Sequence, residues 1–280
     1  MEFIKLKDLS SEAYYECFSD AFSDYVGFRH VPYQDFMNMM KVRGMDPEIS
    51  YAAKIDGQLA GVIMNAYKQN DEANIGYVVS IGVRPKFRGQ KVAQSLILHS
   101  IHTFKNMKIH SYMLEVITIN EKAYNLYTKL GFKKQRDFPC FKINKIDKKY
   151  KVYPIEKVDK IDYNDVKDLM DVMPSWQNSF SSLNRNPGQF TYLVVKDNDK
   201  IIGYAISDLN KRSLLQIAVH KNYRRQGIGS SLLNELFTLS NGTQLGILNV
   251  DETSISLIEF FKHFKAEELL KQFELVKVLE

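Results

Sequence analysis

Arg224-Arg225-Gln226-Gly227-Ile228-Gly229 follows an apolar run, residues 214–219, and opens a helix-like segment, residues 230–237. Strand, tight basic-and-glycine turn, helix is the order that cradles a phosphate. The turn aims backbone N–H groups at one spot, and the helix adds its unpaired first-turn donors and the positive end of its dipole. Gly227 and Gly229 remove side chains that would hold a pyrophosphate away from the backbone. Read alone, the stretch would also serve as an ordinary strand-to-helix connection.

A second copy of the pattern decides between these readings. Arg88-Gly89-Gln90-Lys91-Val92-Ala93 ends the apolar run 78–83 and opens another apolar-periodic segment, 93–104. Residues 79–93 align with 215–229 without a gap, at an offset of 224 − 88 = 136 in a chain of 280. Upstream, residues 51–61 resemble residues 192–203, each a strand, a polar turn and a strand ending in Gly, as a hairpin requires. One repeat at this length predicts two domains, 1–146 and 150–280.

These motifs resemble the GNAT N-acetyltransferase superfamily, and the whole chain resembles a tandem of two such domains. The resemblance implies an α/β (α+β) fold, each domain a mixed, largely antiparallel central sheet flanked by helices. It implies acetyl-CoA as cofactor, its pyrophosphate on the loop and its pantetheine arm along the preceding strand. The cofactor-binding residues it implies are Ile81, Gly82, Val83, Arg88, Gly89, Gln90, Lys91, Val92, Ala93 and Asn120 in the first half. In the second they are Ile217, Ala218, Val219, Arg224, Arg225, Gln226, Gly227, Ile228, Gly229 and Ser230. Lys91 stands where the cradle usually has Gly; its backbone N–H still donates, and its side chain could reach a phosphate from outside.

The family's downstream motif matches Asn120-x-x-Ala123-x-x-Leu126-Tyr127-x-x-x-Gly131-Phe132. There the Tyr hydroxyl protonates the leaving thiolate, so the resemblance gives Tyr127 the role of general acid. Asn120 is placed to cap the helix and Gly131 to end it. In the second half, ungapped alignment sets Leu245 at Leu114, Asp251 at Asn120, Ile258 at Tyr127 and Lys262 at Gly131. A local shift brings Phe260 or Phe261 to the Tyr127 position instead. None of these carries a hydroxyl. The first half thus keeps the acid with an altered cradle, and the second keeps the cradle without the acid. Glu115, opposite Gly246 in that alignment, is the candidate base, or else structural.

Composition narrows the rest. With 45% hydrophobic and 25% charged residues, the chain is built to bury cores. Residues 1–146 carry 20 Lys+Arg and 15 Asp+Glu, the remainder 18 and 18. A surplus of five without a basic run and interleaved aromatics does not make a nucleic-acid binder. Part of it clusters at Arg84, Lys86, Arg88 and Lys91, where an anionic cofactor would sit. No stretch approaches the ~20 apolar residues of a membrane span. Residues 1–7 lack the apolar run of a signal peptide, and Cys17 and Cys140 form no Cys-x-x-Cys pair, so free thiols and a cytoplasmic protein are expected. His99 and His102 lie three apart without a third ligand and read as solvent-facing, and no metal is expected. Asp24, Tyr25 and Phe28 in the connection between the first two helices read as loop packing or pocket lining, and Trp176 as packing or a lid.

The activity these features imply is transfer of an acetyl group to a primary amine of a small molecule or peptide by direct attack in a ternary complex. Two other classes stay open: a non-catalytic acyl-CoA-binding regulatory module, and a tandem-type aminoacyl-transferase using charged tRNA. Intact cradles speak against the latter. The acceptor is not legible, because its pocket residues are scattered along the chain.

Overall fold

The computed structural model describes residues 1–24, 30–70, 73–144, 146, 153–242 and 244–279. Along the chain run β1 (Glu2–Lys5), α1 (Ser11–Phe22), α2 (Tyr33–Arg43), β2 (Tyr51–Ile55), β3 (Gln58–Asn70), β4 (Ala73–Val83), α3 (Val92–Asn106), β5 (Ser111–Ile117), α4 (Glu121–Lys129) and β6 (Lys133–Ile143). There follow β7 (Glu156–Val158), the short helices α5 (Tyr163–Val166) and α6 (Phe180–Leu183), β8 (Thr191–Asp197), β9 (Lys200–Asp208), β10 (Ser213–Val219), α7 (Ile228–Leu239), β11 (Leu245–Ile247), α8 (Ile255–His263) and β12 (Glu267–Val278). They build two compact units, Met1–Gln135 with Glu274–Glu280, and Arg136–Phe273. The expected division was 1–146 and 150–280. Residues 136–146 instead belong to the second unit, and the C-terminal segment to the first.

In the first unit, Ser10 caps α1 by accepting the Ala13 N–H, and Tyr14, Cys17, Phe18 and Ala21 bury one face of that helix. Gly44, at φ +80°, closes α2. Asp56 and Gly57 both adopt positive φ and turn β2 back into β3, as a tight hairpin demands. β1 to β4 pair antiparallel in order, while β4 and β5 pair in parallel. The sequence places a hairpin turn around residues 70–72, but Asp71 and Glu72 lie outside the described residues, as do Tyr25 and Phe28. His99 is not solvent-facing. It stacks on Phe3 at 4.5 Å and meets Tyr51 edge-on at 4.4 Å, and burial lowers its pKa.

The long hairpin β3/β4 carries one extra residue. Ser80 pairs with Met64 and Val78 with Asn65, leaving Val79 as a bulge. A buried polar network underlies it. The Asn65 amide donates to the Ile49 carbonyl (2.7 Å) and to Ser100 Oγ (2.9 Å), and its Oδ1 accepts the Tyr112 hydroxyl (2.5 Å). Each buried polar atom named there has a partner, which is what allows such a network inside a core.

The second unit repeats the plan. β7, β8, β9 and β10 pair antiparallel in order, β10 pairs in parallel with β11, and Leu245–Ile247 pair antiparallel with Phe141–Ile143 of β6. Alternation along β8 sends Leu193 and Val195 to one core with Leu232, Leu233 and Leu236 of α7. Tyr192 and Val194 go to another with Val166, Leu169 and Leu183. The register again skips a residue, with Leu214 opposite Ser207 and Gln216 opposite Ile206, so Leu215 is the bulge. Leu215 is Val79 plus 136.

The sequence pattern places a strand over 150–155 and a helix over 164–173. The strand is instead β7 at Glu156–Val158, and residues 150–152 lie outside those described. The helix is broken. α5 gives way to a 3₁₀ turn, Lys167–Leu169, and Met170 turns extended (ψ 132°), which carries Asp171 out to bond Arg224 and Ser256. Trp176 is buried. Both cysteines are free and buried, and burial raises the Cys17 pKa to about 12. Among the described residues no helix is long and apolar enough to cross a membrane, and no group of three or more His, Cys, Asp or Glu is placed to hold a metal ion.

The C-terminal segment anchors the first unit through the Leu279 N–H, which donates to the His110 carbonyl at 2.8 Å, and through buried Leu275 and Leu279. Each buried leucine contributes about 2 kcal/mol. Deleting 274–280 is therefore expected to lower amide protection in β5 while leaving α7 unchanged, read by hydrogen exchange. Equal loss in both, or in neither, would contradict the division into units.

Candidate active site

After β4, a 3₁₀ turn at Pro85–Phe87 leads through Arg88, Gly89, Gln90 and Lys91 into α3. After β10, a 3₁₀ turn at Lys221–Tyr223 leads through Arg224, Arg225, Gln226 and Gly227 into α7. The two loops share a backbone. Gly89 (φ +80°) and Lys91 (φ +59°) are left-handed in the first, and Arg225 (φ +64°) and Gly227 (φ +89°) in the second. Each loop thus has two left-handed positions two residues apart, filled by one glycine and one long side chain in opposite order. Lys91 accepts the conformation that Gly227 adopts freely, at a cost of about 1–2 kcal/mol. Its side chain is exposed, so the substitution leaves the loop's turn intact.

Both loops deliver a helix N-terminus. The Ser95 N–H bonds the Lys91 carbonyl, and the Ser231 N–H the Gly227 carbonyl. The N–H groups of residues 92–94 and 228–230 therefore precede the first intrahelical bond and face outward as anion donors. The basic side chains at the first loop are differently engaged than their charge suggested. Arg84 pairs with Asp20, and Arg88 forks onto Asp24 at 2.6 and 2.7 Å, which holds the Asp24 carboxyl below its usual range. Lys86 donates to Gln58 Oε1 at 2.5 Å. In the second loop Arg224 pairs with Asp171 at 2.8 Å, and this bond first, then Ser256, lowers the Asp171 pKa.

Beside each loop two parallel strands part. β4 and β5 pair over Ile75–Tyr77 and Ser111–Met113, and β10 and β11 over Ser213–Leu214 and Gly246–Ile247, among the described residues. Past the bulges at Val79 and Leu215, Ile81–Val83 and Ile217–Val219 run on without a parallel neighbour. In the first unit α1 closes against this stretch: a Cβ on Gly82 would lie 2.8 Å from Ala21 and 2.9 Å from the Phe22 ring. In the second unit the wedge opens as a cavity of about 510 Å³, lined among others by Gln216, Val219, Gly229, Asn249 and Phe260. An extended thioester cofactor fits this set: free N–H donors for phosphate at the loop, and an unpaired strand edge leading inward.

The helices that follow β5 and β11 compare closely. Asn120 caps α4, its Oδ1 accepting the Ala123 N–H at 3.1 Å, and Gly131 follows at φ +87°. α8 is also nine residues long, with Ser254 at its N-cap and Lys265 after it at φ +54°. Helix position thus sets Phe261 at Tyr127, the shifted alignment, and Ser254 rather than Asp251 at Asn120. Strand register sets Leu248, not Gly246, opposite Glu115, because Gly246 pairs with Ser213 as Met113 does with Tyr77. The ungapped alignment misses this because it sets β11 two residues out of register with β5, and the connection to α8 adds one residue more. Tyr127 is buried, edge-on to Phe132 at 6.0 Å. Glu115 is half-buried, two residues past the last pair of β5 with β4.

The structure also adds residues that carried no signal. Arg224 and Ser256 meet at Asp171, which is far from both in sequence. A buried chain runs from the Tyr204 hydroxyl to Gln216 Oε1, from the Gln216 amide to the Asn178 carbonyl, and from the Asn178 amide to the Leu248 carbonyl. It bridges the residue after the bulge to the residue after β11.

Comparison with known proteins agrees with this geometry. Residues 4–132 match the model of the acetyltransferase (GNAT) family, and residues 188–265 that of an acetyltransferase (GNAT) domain. N-alpha-acetyltransferase 30 of Dictyostelium discoideum is 36% identical over 88 residues, 31% of this chain and 48% of that protein. Mycothiol acetyltransferase of Paenarthrobacter aurescens is 31% identical over 114 residues, 38% of this chain and 35% of that one. The matches thus span about half or less of these relatives. Among solved structures, a tandem GNAT protein from the clavulanic acid biosynthesis pathway superposes with a TM-score of 0.74 at 12% identity, covering 100% of this chain and 98% of that one. A putative acetyltransferase from Pyrococcus horikoshii gives 0.72 at 14% identity, covering 100% and 89%. At such identities the likeness is one of fold.

The strain at Lys91 is measurable. Lys91→Gly relieves the left-handed cost but frees the unfolded chain, for a net gain of up to about 1 kcal/mol. A urea midpoint that fell instead would place residue 91 outside the left-handed region.

Proposed function

Because the chain belongs to the GNAT acetyltransferase family, with the domain present twice, we propose that it moves an acetyl group from acetyl-CoA to a primary amine of a small molecule or peptide, by direct attack in a ternary complex. The observation that carries this is the repeated cradle: one loop backbone, one helix N-terminus and one bulged, parted strand in each unit. The curated relatives include N-alpha-acetyltransferases and a mycothiol acetyltransferase, which supports acetyl transfer without choosing an acceptor.

The first unit holds the chemistry in this reading. When bound, acetyl-CoA supplies the activated acetyl thioester. The N–H groups of residues 92–94 would hold its phosphates, and those within residues 81–83 that point to the open edge would stabilise the carbonyl oxygen as it gains charge. Tyr127 gives its hydroxyl proton to the sulfur as the C–S bond breaks. The attacking amine forms the new C–N bond and passes its proton to Glu115, directly or through water. Holding both reactants in one cleft supplies much of the rate.

A second reading is favoured by Phe261. With no hydroxyl at the position of its helix that matches Tyr127, the second unit binds acyl-CoA in its open cleft and regulates, with turnover elsewhere. Native mass spectrometry with acetyl-CoA compares the wild type with Gly227→Glu, which blocks the second cradle by charge and bulk. Two bound cofactors falling to one is the expected result; one falling to none would remove the first cradle from the mechanism. Tyr127→Phe is expected to slow acetyl transfer by about 10²-fold or more while leaving cofactor binding intact. Unchanged turnover with a working acceptor would take Tyr127 out of the reaction.

A further inference from the structure

The arginine that opens each cradle motif makes the same pair of bonds in both units. Arg224 Nε donates to the Val219 carbonyl at 2.9 Å and Nη2 to Asp171 Oδ1 at 2.8 Å. Arg88 Nε donates to the Val83 carbonyl at 3.3 Å, and its two Nη groups reach Asp24 and the Ala21 carbonyl. In each case the carbonyl is the last of the parted strand, five residues upstream. The acids are not equivalent in sequence: 171 − 24 is 147, whereas 224 − 88 is 136. Two different backbones have brought a carboxylate to the same guanidinium.

In the second unit the carboxylate has a further role. Asp171 Oδ2 accepts the Ser256 hydroxyl at 2.9 Å, in the first turn of α8. Arg224, Asp171 and Ser256 all line the 510 Å³ cavity. They come from three separate walls: the cradle, residues 169–173, and the helix that carries Phe261. An arginine that clamps a phosphate presents its fork of N–H donors to the ligand. Here Nε is spent on the strand end, which fixes the guanidinium plane, and Nη2 on Asp171.

We infer that Arg224 is a positioning residue that ties residues 169–173 and α8 to the cradle through Asp171, so that loading the cradle firms the opposite wall of the cleft, and that it is not a phosphate ligand. The inference rests on the proposed binding of acetyl-CoA in the second unit. A lysine would not replace it, since one ammonium cannot hold the carbonyl and the carboxylate in a fixed plane.

Hydrogen exchange on the full chain, with and without acetyl-CoA, tests this on the wild type, Arg224→Gln and Asp171→Asn. In the wild type, acetyl-CoA is expected to slow exchange in both 225–231 and 169–173. In the two variants it should still slow 225–231, with affinity within about threefold, but no longer 169–173. A loss of about tenfold or more in affinity for Arg224→Gln would mark a phosphate ligand and overturn the inference. So would an undiminished response of 169–173 in Asp171→Asn, which keeps the arginine and the shape of the site. No response of 225–231 in the wild type would remove the cofactor reading of this unit, and the inference with it.

Discussion

One surplus residue in the antiparallel strand pairing beside each cradle governs the rest. Val79 and Leu215 break the antiparallel register of β3/β4 and β9/β10, and there the parallel neighbours β5 and β11 separate. Without the bulge the sheet would close and no wedge would exist beside the loop. A parted sheet exposes backbone donors and acceptors that folding normally pairs, a cost tolerated only where a ligand or a packed element meets them. The polar groups behind the bulges show how the parting is held. Asn65 ties the first from below, and Gln216, one residue past the second, links by way of Asn178 to the far strand.

Much of this architecture was legible because its signals are local. The hairpin of β2 and β3, the Asn120 cap, the Gly131 stop and the gapless repeat around both cradles each depend on a few adjacent residues. The strand limits at the second restart and the helix over 164–173 were misread for the opposite reason. Met170 has a helical neighbourhood, and its extended backbone is set by bonds that Asp171 makes to residues 53 and 85 positions away. The same applies to α8. Gapless alignment set β11 two residues off against β5 and missed one more residue before α8, and only register against β10 and the helix caps restore Phe261 to its place.

The electrostatics of the cradles differ from what charge counting suggests. Arg84, Arg88 and Arg224 are each matched by an aspartate, and the pairs are partly exposed, so they order the loops more than they stabilise them. In the proposed reading, anion binding at the loops then rests on backbone N–H groups and the helix dipole, which no substitution at the neighbouring side chains removes. This also explains how Lys91 can stand at a cradle position. What the loop requires there is a left-handed backbone, and an L-residue can supply one at modest cost.

The membership of Glu274–Glu280 in the first unit has a consequence for how the chain is made. A ribosome releases residues 1–135 long before it polymerises Leu275 and Leu279, so the N-terminal sheet emerges without the leucines and the Leu279 amide that its own core and His110 require. The contacts that complete it span most of the sequence, the kind of closure that slows folding. The N-terminal unit thus finishes only after the second has been made, and until then its β5 edge is a part of the nascent chain that needs shielding from other strands.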